Sequence, residues 1–190
     1  DIEAIDQALT SAGAPPSLAL WSMIEMPLAI LNIRAIAAAS QGTRLAGFVM
    51  GLNDLAKEMA AIPTPDRSAF QVALGLTLAA ARAYGLAAVD AVFNDIADEQ
   101  GLAAECEQGR VLGFDGKSLI HPAQLATANR VFSPDPGDVA HARAVIEAFA
   151  LPENQGKGVI KVDGRMAELL HLEQARRLVA ISEAIAAQGE

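Results

Sequence analysis

The sequence predicts an α/β protein with a parallel sheet, in which short strands alternate with helices. Three observations lead to this prediction. Four short apolar runs recur within the first 133 residues, a helical pattern of apolar residues follows each run, and most of the runs are apolar throughout. Strands that are apolar on both faces belong in a parallel sheet covered by helices. Four such units make half of an eight-unit TIM barrel, so we expect half a barrel.

The first two units are bounded by loop and helix signals. Pro27 suits the first turn of a helix, and Gly51 ends the second apolar run. The predicted elements are, in order, a helix over 2–10, a loop over 11–17, strand Leu18–Ile24, a helix over 28–39, strand Leu45–Met50 and a short helix through Leu55–Met59.

The third and fourth units follow the Pro-containing segment IPTPDRS. Asp66 is a suitable N-cap for a long helix, and Gly85 is a suitable stop signal. The predicted elements are helix Ser68–Tyr84, strand Leu86–Phe93, helix Asp95–Gly109, strand Lys117–Ile120 and a helix that Pro122 opens.

The pattern changes after residue 133, which predicts two regions, the half-barrel over 1–133 and a C-terminal extension over 134–190. The extension begins after a linker, SPDPGD, and continues with a helix over Val139–Ala150. The segment NQGKGVIKVDGRM predicts a β-hairpin with Asp-Gly as its turn, and residues 168–187 predict a final helix.

Composition excludes several classes of protein. Hydrophobic residues make up 52% of the chain, which disfavours disorder, and the net charge of −9 disfavours nucleic acid or an anionic membrane as the main partner. The sequence contains no run of 18 apolar residues, so we expect no membrane span. The single cysteine, Cys106, excludes an internal disulfide and favours a reducing compartment, so we expect a cytoplasmic protein.

Two carboxylates end consecutive predicted strands and form a candidate metal site. Glu25 follows the first strand and Asp54 follows the second. Neighbouring parallel strands lie about 4.8 Å apart, so two such side chains can meet at the carboxyl edge of the sheet. Close carboxylates repel unless they are protonated or share a cation, and Mg²⁺ is commonly held by one or two of them. The alternative is that each carboxylate only caps the helix that follows it.

Two further groups of polar residues are candidates for binding or catalysis. In GFDGKSLIHP, Lys117 is placed to hold a phosphate and His121 stands at a strand end; a tight turn with a helix cap explains the same pattern. In the extension, the predicted hairpin tip brings Asp163, Arg165 and Glu168 together, and the alternative there is a solvated turn with a helix start.

Together these motifs resemble the HpcH/HpaI aldolase and citrate lyase β-subunit superfamily, closest to its CoA-thioester branch. The likeness covers nearly the whole chain and is carried, in order, by MIEMPLAILN, FVMGLNDLAKEM, DAVFNDIADEQGL, GFDGKSLIHPAQLATANRVFSP and the tail segment VDGRMAE. The resemblance implies the second half of a TIM barrel, an oligomer such as a homotrimer or homohexamer, and small-molecule partners, namely an acyl-CoA and a keto acid.

The resemblance also implies roles for individual residues. Glu25 and Asp54 would be the Mg²⁺ ligands. Glu168 matches the position of the family's acid/base aspartate, and its extra methylene shifts the carboxylate by roughly 1 Å. The residues implied at the rim of the CoA thioester site are Asn94, Asp95, Lys117, His121 and Pro122.

The implied activity is Mg²⁺-dependent carbon–carbon cleavage of a 3-hydroxyacyl-CoA, such as citryl-CoA or malyl-CoA, into acetyl-CoA and a keto acid. Because Glu168 stands where the family has an aspartate, two alternatives stay open: a malyl-CoA-type thioesterase and a CoA-binding subunit without turnover. An aldolase acting on free acids is a further alternative, which GFDGKSLIHP and the tail hairpin disfavour.

Overall fold

The computed structural model describes residues 1–188, which form two compact units, one over residues 1–132 and one that begins at Ser133. The first unit is an α/β fold around a four-stranded parallel sheet with strand order β1-β2-β3-β4. The strands are β1 Leu20–Ile24, β2 Leu45–Met50, β3 Ala87–Asp90 and β4 Gly116–Lys117. The predicted α/β class and the parallel sheet are therefore confirmed.

Seven α-helices are described in the first unit, together with 3₁₀ turns at Ala39–Gln41, Ser68–Phe70 and Pro122–Gln124. The helices are α1 Ile2–Ser11, α2 Pro27–Leu31, α3 Ile33–Ala38, α4 Leu52–Met59, α5 Gln71–Ala83, α6 Glu99–Leu112 and α7 Leu125–Phe132. Pro27 occupies the first helical position of α2, as the sequence predicts.

The two faces of the sheet differ in burial. On one face the side chains are covered by helices and form the main core with residues of α3 and α5; its strand residues include Ile24, Phe48, Met50 and Ala88. Side-by-side residues of parallel strands point to the same face, and Trp21 pairs with Gly47 while Met23 pairs with Val49. Trp21 and Met23 are 47% and 55% exposed, so this second face is open in the described unit.

Several predicted boundaries need correction, and hydrogen bonds explain them. The single helix expected over 28–39 is divided at Asn32, whose side-chain amide donates to the Leu28 carbonyl and competes with the backbone ladder. The strand expected to reach Phe93 ends at Asp90, since its neighbour β4 has only two residues, not the four expected over Lys117–Ile120.

Side-chain caps account for two further corrections. Helix α6 begins at Glu99 rather than Asp95, because the Asp98 carboxylate accepts from the Gly101 N–H at 2.8 Å. Asp66 accepts from the Ser68 N–H at 3.2 Å, but Arg67 directly precedes the 3₁₀ turn that leads into α5. Asp66 is therefore not the N-cap residue.

The second unit consists of two helices and a hairpin. Its elements are α8 Pro136–Ala150, a 3₁₀ turn at Pro152–Asn154, β5 Val159–Val162, β6 Arg165–Glu168 and α9 Leu169–Gln188. Strands β5 and β6 pair antiparallel around Asp163 and Gly164, both with positive φ (47° and 81°), which confirms the predicted hairpin. Within residues 1–188, no helix has the length and apolar character that crossing a membrane requires.

Candidate active site

Glu25 lies at the carboxyl edge of the sheet, directly after β1, and its side chain rests on the end of β2. The Gly51 N–H donates to the Ile24 carbonyl at 3.0 Å, so the two chains remain paired at this point. A Cβ on Gly51 would lie 2.6 Å from the Glu25 Cβ and 3.0 Å from its Oε2. Glycine at position 51 therefore provides the space in which the Glu25 carboxylate lies.

Asp54 lies three residues after Gly51, in the first turn of α4, and its side chain is exposed. The residue that precedes this helix is Gly51, so the Glu25 carboxylate contacts the position from which the helix carrying Asp54 starts. Among residues 1–188, neither carboxylate takes part in a hydrogen bond or an ion pair. Neither side chain therefore caps a helix N–H group, although Asp54 lies in the first turn of α4, where an acidic side chain interacts favourably with the helix dipole.

The donor set at this edge suits Mg²⁺. The ion prefers oxygen ligands and usually takes one or two protein carboxylates, with waters and substrate oxygens completing its shell. Within the described part of the chain, no cluster of three or more His, Cys, Asp or Glu side chains is arranged to hold a metal. Two carboxylates without competing partners thus fit an ion whose other ligands are water and substrate.

Asn94 extends this edge toward β3. Its side-chain amide donates to the Asn53 Oδ1 at 2.8 Å, and the Asn53 amide donates to the Asn94 Oδ1 at 3.0 Å. Asp95, the next residue, is exposed and accepts from the Ala97 N–H at 3.0 Å. The loop after β3 is therefore fixed to the first turn of α4, beside Asp54.

Gln124 connects the loop after β4 to the same edge. Its buried amide donates to the Phe93 carbonyl at 3.0 Å and accepts from the Ile120 N–H at 3.1 Å. His121 accepts from the Ala123 N–H through Nδ1, and both His121 and Pro122 are exposed. Gln124 was not a sequence candidate, although its position two residues after Pro122 was a signal for the same rim.

Lys117 does not reach this rim. Its side chain is fully buried, and its ammonium lies 2.5 Å from the Glu105 carboxylate and 3.3 Å from the Asp90 carboxylate. An ammonium enclosed with two carboxylates has no exposed N–H for a phosphate. The prediction that Lys117 binds a phosphate is therefore wrong. Its side chain is part of an internal ion-pair cluster.

Arg67 completes that cluster, which we call the buried charge cluster and which comprises Arg67, Asp90, Glu105 and Lys117. The Arg67 Nη1 lies 2.7 and 2.8 Å from the two Asp90 oxygens, and its Nε donates to Gln108. The side chains of Arg67 and Asp90 are 4% and 0% exposed. Neither residue was a sequence candidate, although an aspartate within the apolar run LAAVDAVF signals a buried partner.

Cys106 lies beside this cluster and is fully buried. Burial raises the pKa of its thiol, because removal from water disfavours the thiolate. The thiol thus stays protonated at neutral pH, as expected of a packing residue rather than a nucleophile.

Glu168 belongs to the second unit, where it ends β6 and is half-buried. Its backbone N–H donates to the His171 Nδ1 at 2.9 Å, which leaves Nε2 to carry the proton of a neutral imidazole. Asp163 lies at the exposed hairpin tip, 3.6 Å from the His141 Nδ1. Arg165, at the start of β6, is exposed as well.

Comparison with known proteins identifies the family. Residues 2–122 match the model of the HpcH/HpaI aldolase/citrate lyase family. The chain is 52% identical over 187 residues to a (3S)-malyl-CoA thioesterase from Cereibacter sphaeroides, covering 98% of this chain and 62% of that protein. It is 34% identical over 169 residues to the citrate lyase subunit beta of Escherichia coli K12, covering 89% of this chain and 55% of that protein.

Solved structures share the fold of this chain. The CitE protein from Mycobacterium tuberculosis, in complex with magnesium, acetoacetate and coenzyme A, matches with a TM-score of 0.71 at 25% identity, covering 88% of this chain and 62% of that one. A citrate lyase from Burkholderia xenovorans matches in fold with a TM-score of 0.78 at 19% identity, covering 97% of this chain and 59% of that one. The chain thus spans less than two thirds of these relatives. It belongs to the HpcH/HpaI aldolase/citrate lyase family.

Proposed function

We propose that this chain carries the metal-binding edge of a CoA-thioester hydrolase that acts on malyl-CoA or a similar 3-hydroxyacyl-CoA. The observation that carries the proposal is the carboxylate pair, Glu25 and Asp54, which is without internal partners among residues 1–188. The 52% identity to a (3S)-malyl-CoA thioesterase favours hydrolysis over carbon–carbon cleavage.

In this proposal Glu25 and Asp54 hold Mg²⁺, which when bound supplies Lewis-acid polarisation of substrate oxygens. The M. tuberculosis CitE structure contains magnesium, acetoacetate and coenzyme A, which supports magnesium and a CoA compound as ligands here. The exposed residues at the rim, Asn94, Asp95, His121 and Pro122, are proposed to face the CoA portion. Lys117 is left out because its side chain is buried.

Hydrolysis requires water to attack the thioester carbonyl, so that the carbon–oxygen bond forms, the carbon–sulfur bond breaks and CoA leaves as a thiol. A base must take one proton from the attacking water, and the departing sulfur must gain one. Glu168 is the proposed base. The bond from its backbone N–H to His171 fixes the position of the strand end that carries it.

The sheet is proposed to be the second half of a TIM barrel, with residues 1–133 as that half and 134–190 as the extension. Support comes from the open face of the sheet, where Trp21 and Met23 would point into the barrel interior. The family relatives are longer than this chain, so additional strands in them have room to close the sheet.

The test is product analysis with the purified chain, (3S)-malyl-CoA and Mg²⁺. We expect malate and free CoA in equal amounts, with turnover abolished by EDTA. Glu25→Gln and Asp54→Asn should each lower kcat/KM at least about 100-fold, since the shared ion would no longer be held. Glu58→Gln is the matched control: Glu58 is on the same helix and, among residues 1–188, pairs only with Lys57 at the surface, so its loss should change little.

A lyase is the second candidate, favoured by the 34% identity to the citrate lyase subunit beta. If the products are glyoxylate and acetyl-CoA in equal amounts, in place of malate and CoA, the activity is that of a lyase and the hydrolase proposal is wrong. Full turnover in both Glu25→Gln and Asp54→Asn would overturn the metal assignment for either activity. Binding of acetyl-CoA without any product would favour a subunit without turnover.

A further inference from the structure

We propose that the paired amides of Asn53 and Asn94, the amide clasp, position Asp54 for metal binding; this rests on the metal site proposed above. Asn53 and Asp54 are consecutive residues in the first turn of α4. Asn94 lies in the loop after β3, 41 residues away in sequence. Any shift of the loop after β3 is therefore transmitted through Asn53 to the neighbouring carboxylate.

The geometry of the clasp restrains both partners. Each amide donates one hydrogen bond and accepts one, at 2.8 and 3.0 Å, so the two groups form a closed ring. A ring of two bonds fixes orientation as well as distance, which a single bond does not. Each amide keeps one N–H and one lone pair for water or a ligand.

The position of the clasp explains why it is needed. The paired register of β2 and β3 ends at Val49 and Val89, before the chains reach Asn53 and Asn94. Beyond that register one segment enters α4 and the other enters the loop after β3. The clasp joins them there, at the edge where the carboxylates lie.

A purely stabilising role is a poor explanation for the clasp. Both asparagines are exposed, and hydrogen bonds between exposed neutral groups add little to folding because water competes for the same atoms. Metal affinity, in contrast, depends on placing ligand oxygens within about 0.5 Å. The clasp should therefore change metal affinity far more than it changes stability.

The experiment is a double-mutant cycle with Asn53→Ala, Asn94→Ala and the double variant, read by calorimetric titration with Mn²⁺ and by thermal unfolding without metal. Each single variant should weaken Mn²⁺ binding about fivefold to tenfold, the weight of one or two hydrogen bonds. The double variant should be no weaker than the singles, because either substitution already opens the ring. Melting temperatures should stay within about 2 °C of the unmodified chain.

Asn32→Ala is the matched control. It removes another exposed side-chain amide, which donates to the Leu28 carbonyl, and should leave Mn²⁺ affinity unchanged. Unchanged affinity in both clasp variants, with binding lost in Glu25→Gln, would overturn the clasp and leave the metal site standing. Losses that add in the double variant, or a large fall in melting temperature in both single variants, would also overturn it. Absence of Mn²⁺ binding by the unmodified chain would overturn the metal site and the clasp together.

Discussion

Asp90 and Glu25 are both carboxylates at the ends of apolar strands in one sheet, but their surroundings are opposite. Asp90 points to the helix-covered side, where it is fully buried and contacts Arg67 and Lys117. Glu25 is two residues after Met23, which pairs with Val49 on the open face, so its side chain points to that face. Among residues 1–188, it has no polar partner. A carboxylate whose partners come from its own chain holds the fold together, whereas one without them is available to a ligand.

The contrast follows from the period of a strand. Successive side chains point to opposite faces, so a charge one residue earlier or later is enclosed by helices or left open. On the enclosed side, an unpaired charge would be strongly unfavourable, and the fold supplies two cations from different segments. On the open side, an unpaired charge does not carry this cost, and the ligand that the residue binds determines which residue is present.

The largest expected effect is at Asp90. Asp90→Asn removes the negative charge that Arg67 and Lys117 share, leaving two buried cations with Glu105 alone. Breaking a buried ion pair on one side destabilises by about 3–5 kcal/mol. Urea unfolding should report that loss in the free energy of unfolding.

Asp95→Asn is the control for this change, because Asp95 is exposed and accepts one hydrogen bond from the Ala97 N–H. Its effect should stay below about 1 kcal/mol. If Asp90→Asn unfolds with the same midpoint as Asp95→Asn, the buried charge cluster does not stabilise the fold.

Glu25 should behave in the opposite way. Without metal, Glu25→Gln should change the free energy of unfolding by less than about 0.5 kcal/mol, since no internal partner is lost. With Mg²⁺ at 100 times its dissociation constant, the unmodified chain should gain about 2.7 kcal/mol and the variant should gain none. Thermal unfolding with Mg²⁺ and with EDTA measures both quantities; equal gains in the two proteins would remove Glu25 from the metal site.

The sequence was sufficient to predict what depends on local pattern. The apolar run Leu45–Met50 is bounded in the structure as predicted, and the Asp-Gly turn predicted the hairpin at Asp163 and Gly164. These features depend on strand propensity and on positive φ, which neighbouring residues determine. The carboxyl-edge positions of Glu25 and Asp54 could be predicted for the same reason.

Long-range partners could not be predicted in this way. The Lys117 role was wrong because the sequence does not reveal that Asp90, 27 residues earlier, and Glu105, 12 residues earlier, take up its ammonium. The short β4 and the early end of β3 likewise depend on which backbone groups find partners in space. The partnership of Asn53 with Asn94 became visible only when the strands were placed side by side.

Gly109, where we expect a smaller effect than at Asp90, shows how closely the enclosed side is packed. A Cβ added to this glycine in α6 would lie 2.7 Å from the Asp90 Oδ2. Gly109→Ala should therefore displace the carboxylate from its cations and destabilise by about 1–3 kcal/mol, as overpacking generally does.

Gly75 provides the matched substitution, because it is also a helix glycine, but beyond its two chain neighbours and the backbone of its own helix no atom of residues 1–188 lies within 4 Å of an added Cβ. Gly75→Ala should stabilise by about 0.5–1 kcal/mol through helix propensity alone. Chemical unfolding of the two variants should thus give shifts of opposite sign. Equal shifts would mean that the Asp90 carboxylate can move without loss of stability. That result would contradict the conclusion that its cations fix the enclosed carboxylate in place.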